Sequence, residues 1–299
     1  MPNLTVTPLT LDQQNISGKI QLRANSKKHK LSFSVTNFST QPMQVQISGA
    51  SAATNEEGKL FYQMGGHTAF GTAPFLTEEL IPTHSLNLPA SGSQTIDLDL
   101  TMPTTDFSGQ VMGAVAISVK EETTFVPLIF QGSVMTEKQP IELSGVTGSV
   151  VSDMPAISVE IGNPNTALLS PVSMDLTLIH KQFFGLRKTT YLLRQQAISF
   201  APNQVMTPII SLQGKPLLAG SYRVTGTMTV DGKVQTIDQS LTLDKKTAEK
   251  INQQAGNVQR DYVGWLLLAV AVLLLLIGLV LYSLKKQTTK NKKRTLGGN

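Results

Sequence analysis

Apolar and polar residues alternate with a period of two along most of residues 1–243. The runs Lys30-Leu31-Ser32-Phe33-Ser34-Val35-Thr36, Gln44-Val45-Gln46-Ile47 and Thr95-Ile96-Asp97-Leu98-Asp99-Leu100 each put their apolar side chains on one face. That is the pattern of a strand buried on one side and wet on the other. Turn-forming clusters interrupt the runs at Asn15–Gly18, Asn25–Ser26, Asn37–Pro42, Asn55–Gly58 and Pro89–Gly92. Short strands punctuated in this way predict sandwiches. No helical pattern separates the strands, which removes doubly wound and α/β-barrel folds. The pattern breaks near Thr136–Pro140 and restarts with Ile141-Glu142-Leu143, Ala156–Ile161, Val172–His180, Arg187–Phe200 and Gly220–Val230, with Asp231-Gly232 as a hairpin turn. The fold expected is all-β: two immunoglobulin-like β-sandwich domains, residues 1–137 and 138–243.

Beyond residue 243 the pattern changes twice. Residues 244–262 are polar and rich in Lys, Gln, Ala and Asn, which predicts a solvated helix or a flexible stalk, with Gly256 weakening the helix. Val263–Leu284 then carries no ionisable side chain except Tyr282. As a helix it would be about 33 Å long, enough for the hydrocarbon core of a bilayer. It lacks the polar stripe of a soluble core helix, and Trp265 and Tyr282 stand near its two ends, where amphipathic rings favour the headgroup level. The expectation is a single membrane helix over 263–284.

Charge orients it. Lys285, Lys286, Lys290, Lys292, Lys293 and Arg294 follow the apolar segment with no acidic residue among them. Positive residues stay in the cytoplasm, so 285–299 is read as a basic cytoplasmic tail and 1–262 as an ectodomain. Six of the 25 Lys and Arg lie in that tail, which leaves 19 against 20 acidic residues outside it. The net charge of +5 therefore gives no support for nucleic-acid binding. Residues 1–20 hold no apolar run of signal-peptide length. Export must then be supplied outside these residues, or the protein is tail-anchored and faces the cytosol. Six basic residues that would have to cross the bilayer disfavour the second reading.

Candidate chemistry is sparse. The chain has no cysteine, so thiolate metal sites, Cys nucleophiles and disulfides are excluded; sandwiches of this size bury enough surface without them. His29, His67, His84 and His180 show no metal-ligand spacing and read as solvated loop residues. Asp97 and Asp99 share a strand face as a glycosidase pair might, but they alternate with Ile96, Leu98 and Leu100 like the wet side of any sandwich strand. No nucleophile-elbow or phosphate-loop motif occurs. Neither an enzyme nor a cofactor is expected.

The most informative local segment is Ala50–Met64. Thr54-Asn55-Glu56-Glu57-Gly58 reads as a tight loop, and Lys59–Gln63 returns as a strand bearing Phe61 and Tyr62. A plain hairpin accounts for this. The alternative is that the loop and its aromatics form part of a glycan or partner surface.

Val35-Thr36-Asn37-Phe38-Ser39, Ala53-Thr54-Asn55 with Gly58 and Tyr62, Met102-Pro103, and Phe107-Ser108-Gly109-Gln110 with Gly113 resemble the first domain of WxL-interacting proteins, surface proteins of lactobacilli, enterococci and relatives. Ile161-Gly162-Asn163-Pro164-Asn165, Ala201-Pro202-Asn203 and Leu218-Ala219-Gly220-Ser221-Tyr222 are similar to the family's second domain. The match is weaker over Asn3–Arg23. The resemblance implies a non-enzymatic, membrane-anchored adhesin or scaffold of a Gram-positive cell surface, with a peptidoglycan-binding first domain and a host-binding second. WxL-domain proteins and a host extracellular-matrix protein are its implied partners. Thr54, Asn55, Gly58, Tyr62, Pro103 and Gly109 are the motif positions it offers for binding. An exported assembly chaperone is the alternative, and a wall-active hydrolase the remotest reading.

Overall fold

The computed structural model describes residues 4–24, 26–65, 70–71, 73–104, 106–135, 137–182, 187–258, 270, 272–280 and 282. It is mostly β-sheet. In the first module the elements are β1 (Leu4–Leu11), β2 (Gln14–Asn15), β3 (Ile20–Arg23), β4 (Lys28–Asn37), β5 (Met43–Thr54), β6 (Leu60–Gln63), α1 (Thr77–Leu80), β7 (His84–Leu88), β8 (Ser93–Thr101), β9 (Gln110–Val119) and β10 (Glu122–Gln131). In the second they are β11 (Glu142–Val151), β12 (Met154–Asn163), β13 (Leu169–Gln182), β14 (Arg187–Phe200), β15 (Gln204–Met206), β16 (Ile209–Ser211), β17 (Gly220–Val230) and β18 (Lys233–Leu243), followed by α2 (Lys245–Gln254).

Each module is built from two sheets that share an apolar core. In the first, β2-β1-β4-β8 faces β3-β10-β9-β5-β6, with β7 on the other part of β5. The pairings are antiparallel except β3, which runs parallel to β10. Alternation does the sorting: Leu31, Phe33 and Val35 of β4 and Ile96, Leu98 and Leu100 of β8 turn inward to meet Val45, Ile47, Val115, Ile117, Leu128 and Phe130. Their neighbours Ser32, Ser34, Asp97 and Asp99 stay outside. In the second module, β11-β12-β15, with β16 beside β12, faces β14-β13-β17-β18 over Ile157, Val159, Leu176, Leu178, Phe200 and Val224.

Two turns show how local chemistry sets register. Asp231 and Gly232 both have positive φ, and Val230 pairs with Lys233, which is the two-residue hairpin that an Asp-Gly pair favours. The Tyr222 hydroxyl accepts from the Leu218 N–H at 3.0 Å and donates to the Leu218 carbonyl at 2.9 Å, pinning the loop before β17 to the strand it enters. Burial pushes the Tyr222 phenol up to about 12.

The polar segment after β18 forms the helix of the two alternatives, with one face docked rather than fully solvated. Asp244 caps α2 by accepting from the Thr247 N–H at 2.9 Å. Ala248, Ile251 and Ala255 are buried on the second module, where Ile251 packs over Gly148 and Asn252 exchanges two hydrogen bonds with the backbone of Leu217. Three apolar residues at helical spacing are enough to seat one face in an otherwise polar run. Among the described residues no helix is long and apolar enough to cross a membrane. Most of 263–284, and all of the tail 285–299, lie outside the described residues; Val272–Val280 is helical, with its apolar side chains exposed.

Candidate functional site

The motif positions of the two modules converge. The hairpin between β5 and β6 is held from within by Asn55, whose side-chain oxygen accepts from the N–H groups of Glu57 at 3.1 Å and Lys59 at 2.8 Å. Thr54, at its base, points into the second module. Its hydroxyl donates to the Ser199 carbonyl at 3.1 Å and accepts from the Ala201 N–H at 2.8 Å. Gly58 has φ +79°, and a Cβ there would come within 2.7 Å of the Ile198 side chain. Its carbonyl accepts from the Ser199 N–H at 2.8 Å, and Gln195 donates to the Glu56 carbonyl at 2.7 Å.

A second tie lies at the start of β9. Gly109 has φ +91°, and a Cβ would overlap the Thr166 carbonyl oxygen. That oxygen accepts from the Gln110 N–H at 2.6 Å, while the Thr166 hydroxyl donates to the Ser108 carbonyl. On the facing side, Asn163, Asn165 and Asn203 are buried. Asn163 donates to the Ala167 and Ala201 carbonyls, Asn165 to the Gln139 carbonyl, and the Asn203 carbonyl accepts from the Phe70 N–H at 2.8 Å. Buried amides in this number need partners, and here they find them in loop backbone. The structure thus brings Thr54, Gly58 and Gly109 together with the second module's Asn motifs at a two-point joint between the modules. Thr166 and Gln195 complete it; neither stands out in the sequence, because a joint residue carries no periodicity of its own.

Tyr62 and Pro103 stand elsewhere. Pro103 is half-buried just past the end of β8, and among the described residues no hydrogen bond ties it to the second module. Tyr62 pairs with Ala52 and lies on the outward face of its sheet. Its ring centroid is 5.8 Å from that of Phe125, with the planes tilted by 36°. The two rings pack against Ala50, Ala114 and Ala116, and burial raises the Tyr62 phenol above its ordinary value. A separate cleft of ≈ 910 Å³ opens near the β9–β10 turn, lined by Leu4, Met43, Val119, Lys120 and Glu122 among others. Ser39 of the first motif lines it, and none of the six candidate binding positions does.

The histidines correct the sequence expectation. His29 and His180 are buried on strands rather than solvated in loops. His29 sits at an inward position of β4, with Nδ1 2.7 Å from an Asp12 carboxylate oxygen and Nε2 2.9 Å from the Arg23 carbonyl. The His180 ring stacks on Tyr222 at 4.0 Å, and burial lowers its pKa. His84 is exposed, and His67 lies outside the described residues. Asp97 accepts from the Ser32 hydroxyl at 2.6 Å and pairs with Lys30 at 2.9 Å. These partners, Ser32 first, hold its carboxyl below the usual carboxylate range, the opposite of what a general acid requires. Among the described residues no group of three or more His, Cys, Asp or Glu could hold a metal ion.

Comparison with known proteins places these features in a family. Residues 11–119 match the model of the peptidoglycan binding domain of WxL Interacting Protein, and residues 117–253 match that of its host binding domain. The models meet inside β9, whereas β9 and β10 are hydrogen-bonded together in the first module. No curated protein matches the chain. Solved structures with some likeness include the CupB2 chaperone of Pseudomonas aeruginosa (15% identity, 75% of this chain and 98% of that one, TM-score 0.28) and the YadV chaperone (14%, 81% and 100%, 0.31). A third is the E. coli chaperone DraB (13%, 80% and 98%, 0.29). At such scores the likeness is too slight to decide even how the modules are arranged. With its two domain models matched in order from residue 11 to residue 253, the chain belongs to the WxL-interacting protein family.

Proposed function

We propose that this protein is a non-enzymatic scaffold of the Gram-positive cell surface, in which two immunoglobulin-like sandwiches bind peptidoglycan through the first module and a host matrix protein through the second. WxL-domain proteins are its partners, and a helix over 263–284 tethers it to the membrane with the C-terminus inside. The observation that carries this reading is the pair of consecutive domain matches. The Tyr222 hydroxyl bonded to the backbone four residues upstream supports the immunoglobulin-like assignment, since that corner recurs in such sandwiches. The exposed apolar residues of the helix 272–280 support the tether, because a helix apolar all round is not stable against water. Strand edges supply a means of holding partners without catalysis, and the two-point joint presents both modules in one fixed relation.

The test is a pull-down with the full chain in mild detergent, against a cell-wall extract and against insoluble peptidoglycan. Retention of a WxL-domain protein together with peptidoglycan is expected. Peptidoglycan binding without any WxL protein would reduce the protein to a wall-anchoring module, and retention of neither would refute the scaffold.

A further inference from the structure

The outward face of the sheet β3-β10-β9-β5-β6 is unlike a wet sandwich face. On β4 and β8 the outward positions are Lys30, Ser32, Ser34 and Asp97, as expected where one side of an antiparallel sheet meets solvent. On β5 and β9 the corresponding positions are Ser48 and Ala50, opposite Ala116 and Ala114, with Ala52 and Met112 next along each strand. Ala50, Ala114 and Ala116 have no exposed surface although they point away from the core, because Tyr62 from β6 and Phe125 from β10 lean over them from both sides. Residues as small as alanine let the rings lie low along the sheet. The result is a shallow aromatic platform with half-exposed rings.

Its surroundings are neutral and hydroxylated. Met64 is 48% exposed beside the rings, its sulfur accepting from the Ser48 hydroxyl at 3.3 Å. Ser118 and Thr123 continue the rim, their hydroxyls 2.9 Å apart. None of the outward positions on β5 and β9 from Ser48 to Ala52 and from Met112 to Ser118 is ionisable. At the joint end the face is closed by the second module, where Pro202 and Asn203 border a small crevice with Ala52 and Met112.

We infer that this platform is the seat of the glycan strand of peptidoglycan, an assignment that rests on the peptidoglycan-binding reading of the first module. A pyranose ring presents a flat face of C–H groups that matches a low-lying aromatic surface, and its equatorial hydroxyl and acetamido groups reach outward to a rim of hydroxyls. Stem peptides carry carboxylates and amines, and the outward positions of β5 and β9 offer no charge to receive them. A protein partner would call for anchors fully desolvated in deep pockets, and the alanine floor is too shallow to provide them. The wall at Pro202 stops the strand at one end, so the sugar lies across the first module and against the second.

The experiment is co-sedimentation of the full chain, in mild detergent, with insoluble peptidoglycan, competed by peptide-free glycan fragments or by isolated stem peptides. Phe125→Ala and Tyr62→Ala are expected to weaken retention by about tenfold, and Tyr62→Phe to preserve it. Because the rings also cover the alanines, Ser48→Arg serves as a second variant: it leaves the rings in place, obstructs the platform from the rim, and should abolish retention without changing the melting temperature. Glycan fragments should displace the unsubstituted chain. Undiminished retention of both Ser48→Arg and Phe125→Ala overturns the seat while leaving peptidoglycan binding standing. Displacement by stem peptides and not by glycan overturns the ligand class. An unsubstituted chain that stays in the supernatant overturns the peptidoglycan reading itself.

Discussion

At the scale of single residues, the motif positions divide by what their side chains touch. Thr54 is buried and bonded twice to the second module, so its worth lies in the joint. Thr54→Val keeps the shape and leaves the Ala201 N–H without its partner, which costs about 1–3 kcal/mol; urea unfolding followed by circular dichroism should read that loss. His180 supplies a pH dependence of known sign. Burial lowers its pKa in the folded state from the ordinary 6.5, so below that value the unfolded chain takes up the proton first. Stability is therefore undiminished above about pH 6.5 and falls as the pH drops towards the lowered folded value. His180→Asn should flatten the fall between about pH 6.5 and 5, measured as the urea midpoint across that range. Equal slopes in both chains would exclude His180 as the source. Tyr62 was legible from the sequence as an aromatic on a return strand. Phe125 was not, because its partnership with Tyr62 spans strands that meet only through β5 and β9.

At the scale of elements, most strands were legible because their alternation survives in a two-layer module, where one face is dry and the other wet. Arg187–Phe200 and Gly220–Val230 form with the limits that the pattern predicts. What escaped is the short helix α1 and the docking of α2, a helix that the sequence allowed but read as solvated. The short helix α1 sits over β5 and β9, and no apolar stripe announces it. Helix α2 has only Ala248, Ile251 and Ala255 to seat it, in a run whose composition otherwise reads as solvated. Ile251→Asp should undock it, since a carboxylate over Gly148 and Leu217 would lose its water. The expected outcome is a loss of about 2 kcal/mol or more in the second module, with amide exchange in 245–254 accelerated to that of a free helix. Slow exchange retained in that segment would show that the Asn252–Leu217 bonds hold the helix by themselves.

At the scale of the whole molecule, each module closes its own core, and the joint decides whether they act as one body. Modules joined by a few contacts move relative to one another by default. Here two separate ties, Thr54 and Gly58 to residues 198–201 and Gly109 and Gln110 to Thr166, fix more than one axis. The intact chain should unfold in a single transition. Gly109→Ala forces both an unfavourable φ and an overlap with the Thr166 carbonyl, roughly 1–3 kcal/mol for the conformation alone. It should split the calorimetric trace into two transitions, one for each module. A single transition persisting in that variant would mean that the other tie is sufficient.

The sequence by itself determined the predominance of β-strands, the lack of thiol chemistry and an apolar segment long enough for a bilayer. These follow from periodicity and composition, which are properties of neighbours along the chain. Only the tertiary structure decided that the Thr54, Gly58 and Gly109 motifs meet the Asn motifs of the second module, that two histidines are buried, and that Tyr62 and Phe125 cover a floor of alanines. Each of these depends on which strand lies beside which, and on how the two modules abut. Contacts of that kind are made by residues far apart in sequence whose local pattern is indistinguishable from an ordinary turn or strand.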